Sequence, residues 1–295
     1  MRKSHTKLDG WGHETFGREK NMICIHHNDL DGRCAAAIVA KYFPGIIRFI
    51  EMDYKDVLPD DIRDGQNIII VDFSLKPEVM ERLVREKKPF GLTWIDHHAT
   101  AKDYPYQGLP GLRDFTDKGR SGCELTWNFF FPDTLMPMAV QLIGDYDKWA
   151  LKMPDSKAFY EGMKLQKNGP EDTIWMLLLA DHARLRVDEI ISAGRTAMTY
   201  RDAYCNGLCK NFGYETELDG VRAYACNQYM FGSGGFVHRF HEYPMCIAYI
   251  HDGKQFTVSL YSETVDVGLI AKNHGGGGHK GAAGFVCVDL PWLGR

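Results

Sequence analysis

Short apolar runs alternate with helix-forming segments in the first half of the chain. The runs predict strands at residues 22–25, 46–50, 67–71 and 92–95, and the segments between them predict helices at 34–40 and 77–87. Alternation of this kind is typical of an α/β fold, in which helices cover a parallel sheet. The strands are continuously apolar, so we expect both faces of the sheet to be covered.

The pattern changes in the second half. Residues 121–131 and 135–150 look helical, with Pro132 and Pro137 between them, and residues 155–210 are rich in helix-forming residues. From Tyr214 onward the pattern predicts short strands at 221–226, 245–250, 256–261 and 285–288. We therefore predict an N-terminal polar extension (1–20), a parallel-sheet domain (21–152), a helical connector (153–212) and a smaller α+β domain (213–295).

Composition and charge narrow the class of protein. The chain has 295 residues, 25% of them charged and 44% hydrophobic, which is ordinary for a soluble globular protein. A formal net charge of −4 argues against an extended grip on duplex DNA and favours a short anionic substrate. The sequence has no long apolar run and no apolar signal-peptide core, so we expect a cytoplasmic protein without a membrane partner. The 8 cysteines form no CxxC pair and are expected to be reduced core residues.

Acids and histidines follow three of the predicted strands, and a further acidic pair lies in a helical stretch. The clusters are His26 to Gly32, Asp72, Asp96-His97-His98, and Gly144 to Asp147. Taken singly, each has an ordinary explanation, such as a helix cap for Asp72 or satisfied loop hydrogen bonds for the histidines. Together they predict a shared metal site, because ligands in open α/β sheets bind beyond the carboxyl ends of the strands.

The chemistry of these side chains indicates which metal and which reaction. Carboxylate oxygens with some imidazole suit manganese or magnesium better than a thiolate zinc site would, and cobalt is a further alternative. The carboxylates and histidines are too many for one ion, so we expect two. Two close cations activate water and stabilise charge on a phosphoryl group, which predicts phosphoester hydrolysis.

The sequence resembles the DHH/DHHA1 phosphoesterases, which include RecJ-type exonucleases, nano-RNases, phosphoadenosine-phosphate phosphatases and cyclic-dinucleotide phosphodiesterases. The first family motif matches residues 27–32, the second Asp72, the third Asp96-His97-His98 and the fourth Asp145. The resemblance implies one ion at His27, Asp29 and Asp72, and another at Asp31, Asp72, His97 and Asp145. It also implies that His98 faces the scissile phosphate and that Asp96 orients a histidine. His26 is an alternative to His27 as ligand, although the motif spacing favours His27.

The C-terminal glycine run provides a second candidate site. Backbone N–H groups of consecutive glycines can approach an anion closely, and His279 and Lys280 follow directly. The run also resembles the substrate-binding DHHA1 motif, which implies that Gly276, Gly277, Gly278, His279 and Lys280 bind substrate. Tyr261 stands where many relatives carry an arginine that binds a terminal phosphate, so it could stack on a base or belong to the core.

Two further residues are candidates for substrate contact near the metal motifs. Ser121 opens a helix, where free N–H groups could hold a phosphate, and with Glu124 it also forms a capping-box pattern. Arg33 follows the first motif and could help neutralise the substrate. We predict a hydrolase that converts short oligonucleotides to 5′-mononucleotides and, from the resemblance, forms a homodimer. The alternatives are a cyclic (di)nucleotide phosphodiesterase, a phosphoadenosine-phosphate phosphatase, an exopolyphosphatase and a non-catalytic nucleotide-binding regulator.

Overall fold

The structure is a computed structural model that describes residues 22–45, 47–62, 66–86, 91–116 and 118–293. The chain divides into two compact units, with the boundary between Arg195 and Thr196. The predicted extension at 1–20, the first residue of the second predicted strand and the last of the 77–87 helix lie outside the described residues. Within the described residues, no helix is both long enough and apolar enough to cross a membrane.

The first unit contains a four-stranded parallel sheet, in the order β2-β1-β3-β4. Its elements in chain order are β1 (Met22–His27), α1 (Leu30–Tyr42), β2 (Ile47–Met52), β3 (Asn67–Val71), α2 (Pro77–Glu86), β4 (Leu92–Ile95), α3 (Gly122–Phe130), α4 (Met138–Asp147), α5 (Ser156–Met163) and α6 (Thr173–Leu178). Helix α7 (Arg184–Phe212) contains the boundary between the units. The predicted α/β class with a parallel sheet is confirmed.

Both faces of this sheet are covered, as the continuously apolar strands predicted. On one face Ile23, Ile25 and Ile70 form a buried cluster with Met80 and Leu83 of α2. Helices α1 and α3 contact the sheet as well as each other, and alternate strand residues point to opposite faces. A sheet buried on both sides leaves only its ends open to ligands.

The second unit is built on a six-stranded mixed sheet, in the order β5-β6-β7-β8-β10-β9. The strands are β5 (Tyr214–Leu218), β6 (Val221–Asn227), β7 (Met245–His251), β8 (Phe256–Tyr261), β9 (Gly277–His279) and β10 (Ala282–Cys287), with α8 (Arg239–Glu242) and α9 (Val267–Asn273). Helix α9 packs Val267, Ile270 and Ala271 into the core of this sheet. The last strand starts three residues before the predicted position, because the glycine run pairs as strand β9 with β10.

The local structure of the first motif matters for the site. This motif is not an extended loop that would place His27, Asp29 and Asp31 on one side. Instead, β1 ends at His27, Asp29 caps helix α1 by accepting the Gly32 N–H at 2.8 Å, and Asp31 lies in the first helical turn. Gly32 is required here, since a Cβ would lie 2.4 Å from the His27 carbonyl oxygen.

Candidate metal centre

The carboxyl ends of β1, β3 and β4 meet at one edge of the parallel sheet. Residues His26, Val71 and Ile95 are aligned across these strands by their pairing. His27, Asp72 and the 96–98 segment therefore leave the sheet side by side, as the sequence predicted. Asp72 has a φ of +51°, and this left-handed backbone conformation turns the chain immediately after β3.

Asp72 is the centre of the cluster. Its side chain is fully buried, and neither carboxylate oxygen has a hydrogen-bond partner among the described residues. Its Oδ1 lies 3.1 Å from His97 Nε2, and its Oδ2 lies 4.0 Å from His27 Nδ1. Burial raises the pKa of Asp72 well above its usual range, and the neighbouring charge of Asp31 raises it further. A buried carboxylate of this kind costs free energy unless a cation compensates it.

Asp31 and Asp147 complete the side of the cluster next to His97. The Nε2 atom of His97 lies 3.8 Å from Asp31 Oδ2 and 3.4 Å from Asp147 Oδ2. Asp147 Oδ2 is buried and, among the described residues, also lacks a hydrogen-bond partner. Burial lowers the pKa of His97, which favours the neutral imidazole whose lone pair can bind a metal.

The described residues contain three groups of side chains with ligand atoms within 4.8 Å of one another. They are His27-Asp29-Asp72, Asp31-His97-Asp147 and Asp72-His97-His98. The fit to divalent cations follows from the unpartnered buried oxygens and from the oxygen-rich donor set. Because Asp72 belongs to two of the groups and lies near the third, the arrangement has room for two ions that share it.

The geometry corrects the predicted ligand in the fourth motif. The carboxylate of Asp145 accepts the backbone N–H groups of Lys152 and Met153 at 2.9 and 3.0 Å, so it stabilises the end of α4. Asp147, two residues later, points to His97 instead. The two acids lie on opposite sides of the helix, and only Asp147 joins the cluster.

His26 and His27 are separated just as clearly. His26 is buried beneath the sheet edge, with Nδ1 near the His27 carbonyl oxygen at 2.8 Å. His27 lies with Nδ1 2.9 Å from Asp29 Oδ2. The structure therefore places His27, and not His26, beside the other candidate metal ligands.

Asp96 and His98 form a hydrogen-bonded pair beside the cluster. Asp96 Oδ1 lies 2.8 Å from His98 Nδ1 and also accepts the His97 N–H, while Oδ2 accepts the Ser74 hydroxyl. Burial by itself would raise the pKa of Asp96, but these bonds hold it below its usual value. Burial would likewise lower the pKa of His98, yet the hydrogen bond and charge of Asp96 raise it. His98 thus tends to be a protonated donor.

Helix α3 holds Asp31 in place through its N-terminus. Ser121 Oγ and the Cys123 N–H donate to Asp31 Oδ1 at 2.9 and 3.1 Å, and the Gly122 N–H donates to Oδ2 at 2.7 Å. Ser121 also forms the predicted capping box with Glu124. Ser121 is fully buried, so its hydroxyl binds Asp31 and not a substrate, which corrects the prediction of a substrate contact.

The remaining predicted substrate contacts lie in different places. Arg33 is bound to Glu51 through Nε at 2.6 Å and to Asn168 through a terminal nitrogen at 3.1 Å, so its guanidinium is largely engaged. Gly276, Gly277, Gly278, His279 and Lys280 lie in or beside the exposed β9–β10 hairpin of the second unit. Tyr261 is at the end of β8 and lines a cavity of about 220 Å³ with Gln228 and Ser259.

Sequence reasoning missed Tyr54 as well as the role of Asp147. The Tyr54 ring is 5.5 Å from His27 and 5.9 Å from His98, measured between ring centroids, and its side chain is partly exposed. Burial and the charge of Asp96 raise the pKa of its phenol, which therefore stays neutral. Tyr54 lies just after β2, at the same sheet edge as the motifs, and this position could have identified it as a site residue from the sequence.

Comparison with known proteins relates the chain to one protein family. Residues 20–146 match the family model described as "DHH family, N-terminal domain". The chain is 26% identical over 237 residues to the uncharacterized protein R106 of Acanthamoeba polyphaga mimivirus, a match that covers 77% of this chain and 54% of that protein. The chain thus spans about half the length of this relative.

Two solved structures share the fold. The pGpG-specific phosphodiesterase PggH from Vibrio cholerae aligns with a TM-score of 0.53 and 14% identity, covering 90% of this chain and 93% of that one. The DHH domain of a member of the s1p family of ribosomal proteins aligns with a TM-score of 0.56 and 16% identity, covering 90% and 82%. At these identities the likeness concerns the fold.

Proposed function

Because residues 20–146 match the model of the DHH family, we propose that this chain is a phosphoesterase, which hydrolyses the phosphodiester bonds of short oligonucleotides to 5′-mononucleotides with the help of two divalent cations. The observation that carries the proposal is Asp72, which is fully buried and has two oxygens without a hydrogen-bond partner among the described residues. A cation would compensate a carboxylate in this state, and its neighbours are themselves side chains that can bind metal.

We assign one ion to His27, Asp29 and Asp72, and the other to Asp31, Asp72, His97 and Asp147. The assignment follows the two groups of adjacent ligand atoms, with Asp72 shared because its Oδ1 is 3.1 Å from His97 Nε2. Mn²⁺ is the preferred ion, with Mg²⁺ and Co²⁺ as alternatives, because the donors are carboxylates and imidazoles. A pair of such ions supplies an activated water at neutral pH and neutralises charge on the phosphoryl oxygens.

The residues beside the ions have separate tasks. Asp96 holds the His98 ring through Nδ1, which leaves Nε2 as the nitrogen that donates to a phosphoryl oxygen. The hydrogen bond and charge of Asp96 raise the pKa of His98, which favours a ring that is protonated on both nitrogens. Tyr54 offers a neutral phenol beside the same two histidines. These groups bind and orient the phosphate while the carboxylates hold the cations.

Short substrates fit the charge of the protein better than long ones do. Binding along a nucleic acid requires many lysines and arginines, whereas the formal net charge here is −4. PggH, which has the same fold, is named for pGpG, a linear dinucleotide. A substrate of two to five nucleotides is therefore the expected size.

The test is a panel of substrates with Mn²⁺, Mg²⁺ or Co²⁺. The panel contains pApA, pGpG, longer oligomers, cyclic dinucleotides, phosphoadenosine phosphate and polyphosphate, with released products measured by chromatography. We expect metal-dependent release of mononucleotides from the dinucleotides, abolished by Asp72→Ala and unchanged by Asp60→Ala, which alters an exposed acid. No turnover of any phosphodiester would refute the proposal. Cleavage of only long oligomers would refute the preference for short substrates.

A further inference from the structure

A polar cavity of about 410 Å³ borders the metal centre within the first unit. Its wall includes Asp29, whose Oδ2 is 2.9 Å from His27 Nδ1, so the cavity adjoins one of the proposed ion sites. The opposite wall comes from α5 and the segment that follows it, with Tyr160, Lys164 and Asn168. The volume lies in the range of small-ligand sites, about 300 to 1,000 Å³.

The charges around this cavity are already paired. Arg33 forms two hydrogen bonds with Glu51, at 2.6 and 2.9 Å, and Lys164 Nζ lies 2.9 Å from Glu161 Oε1. A polyphosphate chain would need cations that are not already compensated. The cavity therefore does not favour a second highly charged group next to the metal-bound phosphate.

The remaining lining is made of amides, one aromatic ring and one leucine. Asn28, Gln166 and Asn168 supply carboxamide groups, which can both donate and accept hydrogen bonds. Tyr160 is stacked on Tyr146 with ring centroids 3.8 Å apart and an interplanar angle of 20°. A stacked, supported ring together with amides matches the base edges and sugar hydroxyls of a nucleoside.

The amide side chains are positioned before any ligand binds. Asn168 accepts from Arg33 at 3.1 Å and donates to the Met163 carbonyl oxygen at 3.1 Å. Gln166 Oε1 accepts from Arg186 at 3.0 Å. A wall fixed in this way loses little entropy on binding, which favours specific recognition.

We infer that this cavity is a nucleoside subsite, in which Tyr160 provides the aromatic surface for a base and the amides bind polar edges of the nucleoside. The inference rests on the proposed function, because it makes the group next to the scissile phosphate a nucleoside. Lys164 Nζ now covers the Tyr160 ring at 5.3 Å from its centroid, and its half-exposed side chain, which pairs with Glu161, has to move aside for a base to stack. The subsite would select nucleotide esters over polyphosphate.

The closing experiment compares two substrates of the same metal centre. Steady-state kinetics with Mn²⁺ are measured on pApA and on bis(p-nitrophenyl) phosphate, which has no nucleoside. For Tyr160→Leu we expect KM for pApA to rise at least fivefold, the lower end of about 1 to 3 kcal/mol for base stacking. The rate on bis(p-nitrophenyl) phosphate should change less than twofold, and Tyr160→Phe should behave as the wild type on both.

The chain offers a matched control on the same helical segment. Lys157 Nζ lies 5.4 Å from the Trp149 ring centroid, an arrangement equivalent to that of Lys164 over Tyr160 but outside the cavity. Lys164→Met should change KM for pApA, whereas Lys157→Met should not. Equal losses on both substrates in Tyr160→Leu, or no loss on either, would overturn the inference while leaving the phosphoesterase proposal intact.

A binding measurement keeps the inference testable if no ester is hydrolysed. Calorimetry with Mn²⁺ compares AMP with ribose 5-phosphate, which lacks the base. A nucleoside subsite predicts that AMP binds at least fivefold more tightly and that Tyr160→Leu removes this difference. Equal affinities in the wild type would overturn the subsite, whatever the outcome for catalysis.

Discussion

Replacing Asp72 with asparagine should stabilise the metal-free protein. The wild-type carboxylate is fully buried, and neither oxygen has a hydrogen-bond partner among the described residues. An asparagine of nearly the same shape removes the charge, and its amide can donate to the neutral His97 Nε2 that lies 3.1 Å from Asp72 Oδ1. The gain should be about 1 to 3 kcal/mol, the usual cost of leaving a buried polar group unsatisfied.

The difference in stability between Asp72→Asn and the wild type should change sign when metal is added. A ligand that binds only the folded state stabilises that state by about 2.7 kcal/mol when the free ligand concentration is one hundred times Kd. Asp72→Asn should lose most of this increment, since the proposed ions share Asp72. The variant is then expected to be more stable than the wild type in chelator and less stable in saturating Mn²⁺.

The assay is thermal unfolding followed by tryptophan fluorescence, because Trp94, Trp127, Trp149 and Trp175 all lie in the first unit. In chelator, the expected rise in Tm is about 2 to 12 °C, at about 2 to 4 °C per kcal/mol. The control is Asp96→Asn, which changes an equally buried acid that is fully hydrogen-bonded and should therefore lower Tm in both conditions. A lower Tm for Asp72→Asn in chelator would refute the reasoning.

The pH dependence gives this prediction a second signature. The pKa of Asp72 is raised in the folded protein, so the folded state binds a proton more tightly than the unfolded state does. Metal-free wild-type protein should consequently lose stability as pH rises above about 4, the pKa of an unperturbed aspartate. The advantage of Asp72→Asn should shrink towards zero at about pH 4 and below, as measured by urea unfolding in chelator.

Four further variants test other parts of the structure. Asp147→Asn should weaken Mn²⁺ binding in calorimetry at least tenfold. Asp145→Asn should instead leave metal affinity within twofold and lower stability by about 1 to 3 kcal/mol, because it loses charged acceptor bonds to two backbone N–H groups. Gly122→Ala would place a Cβ 2.3 Å from that of Asp72, so we expect about 1 to 3 kcal/mol of destabilisation and at least tenfold weaker Mn²⁺ binding. Gly278→Ala, at a φ of 143°, should speed hydrogen exchange in the β9–β10 hairpin without changing Mn²⁺ affinity.

The sequence was sufficient for the sheet and for the edge at which the motifs meet. Continuous apolar runs predicted β1, β3 and β4, because parallel strands that are buried on both faces consist almost entirely of apolar residues. Helix boundaries were harder to predict. The polar motif that begins α1 resembles a loop, since the Asp29 cap and the acid in the first turn are themselves polar. The extra strand β9 was missed because glycines have low strand propensity.

The choice between Asp145 and Asp147 required the three-dimensional structure. Residues two positions apart on a helix point in directions that differ by about 200° around its axis, so only one of the two acids can face the cluster. The sequence does not say which face of α4 packs towards α1 and α3. The polar cavity was missed for a related reason, since Tyr160, Lys164 and Asn168 are ordinary surface residue types until the fold brings them beside Asp29.

The contrast between Asp31 and Asp72 explains why helix α3 begins where it does. Asp31 receives three hydrogen bonds from residues 121–123, and these bonds stabilise its buried carboxylate. Asp72 lies against Gly122 at the same helix end yet receives none of these bonds among the described residues. The protein thus holds the Asp31 carboxylate in place, whereas compensation of the Asp72 carboxylate depends on the proposed cations. A helix start with a side chain at position 122 could not support both, because that side chain would occupy the space of Asp72.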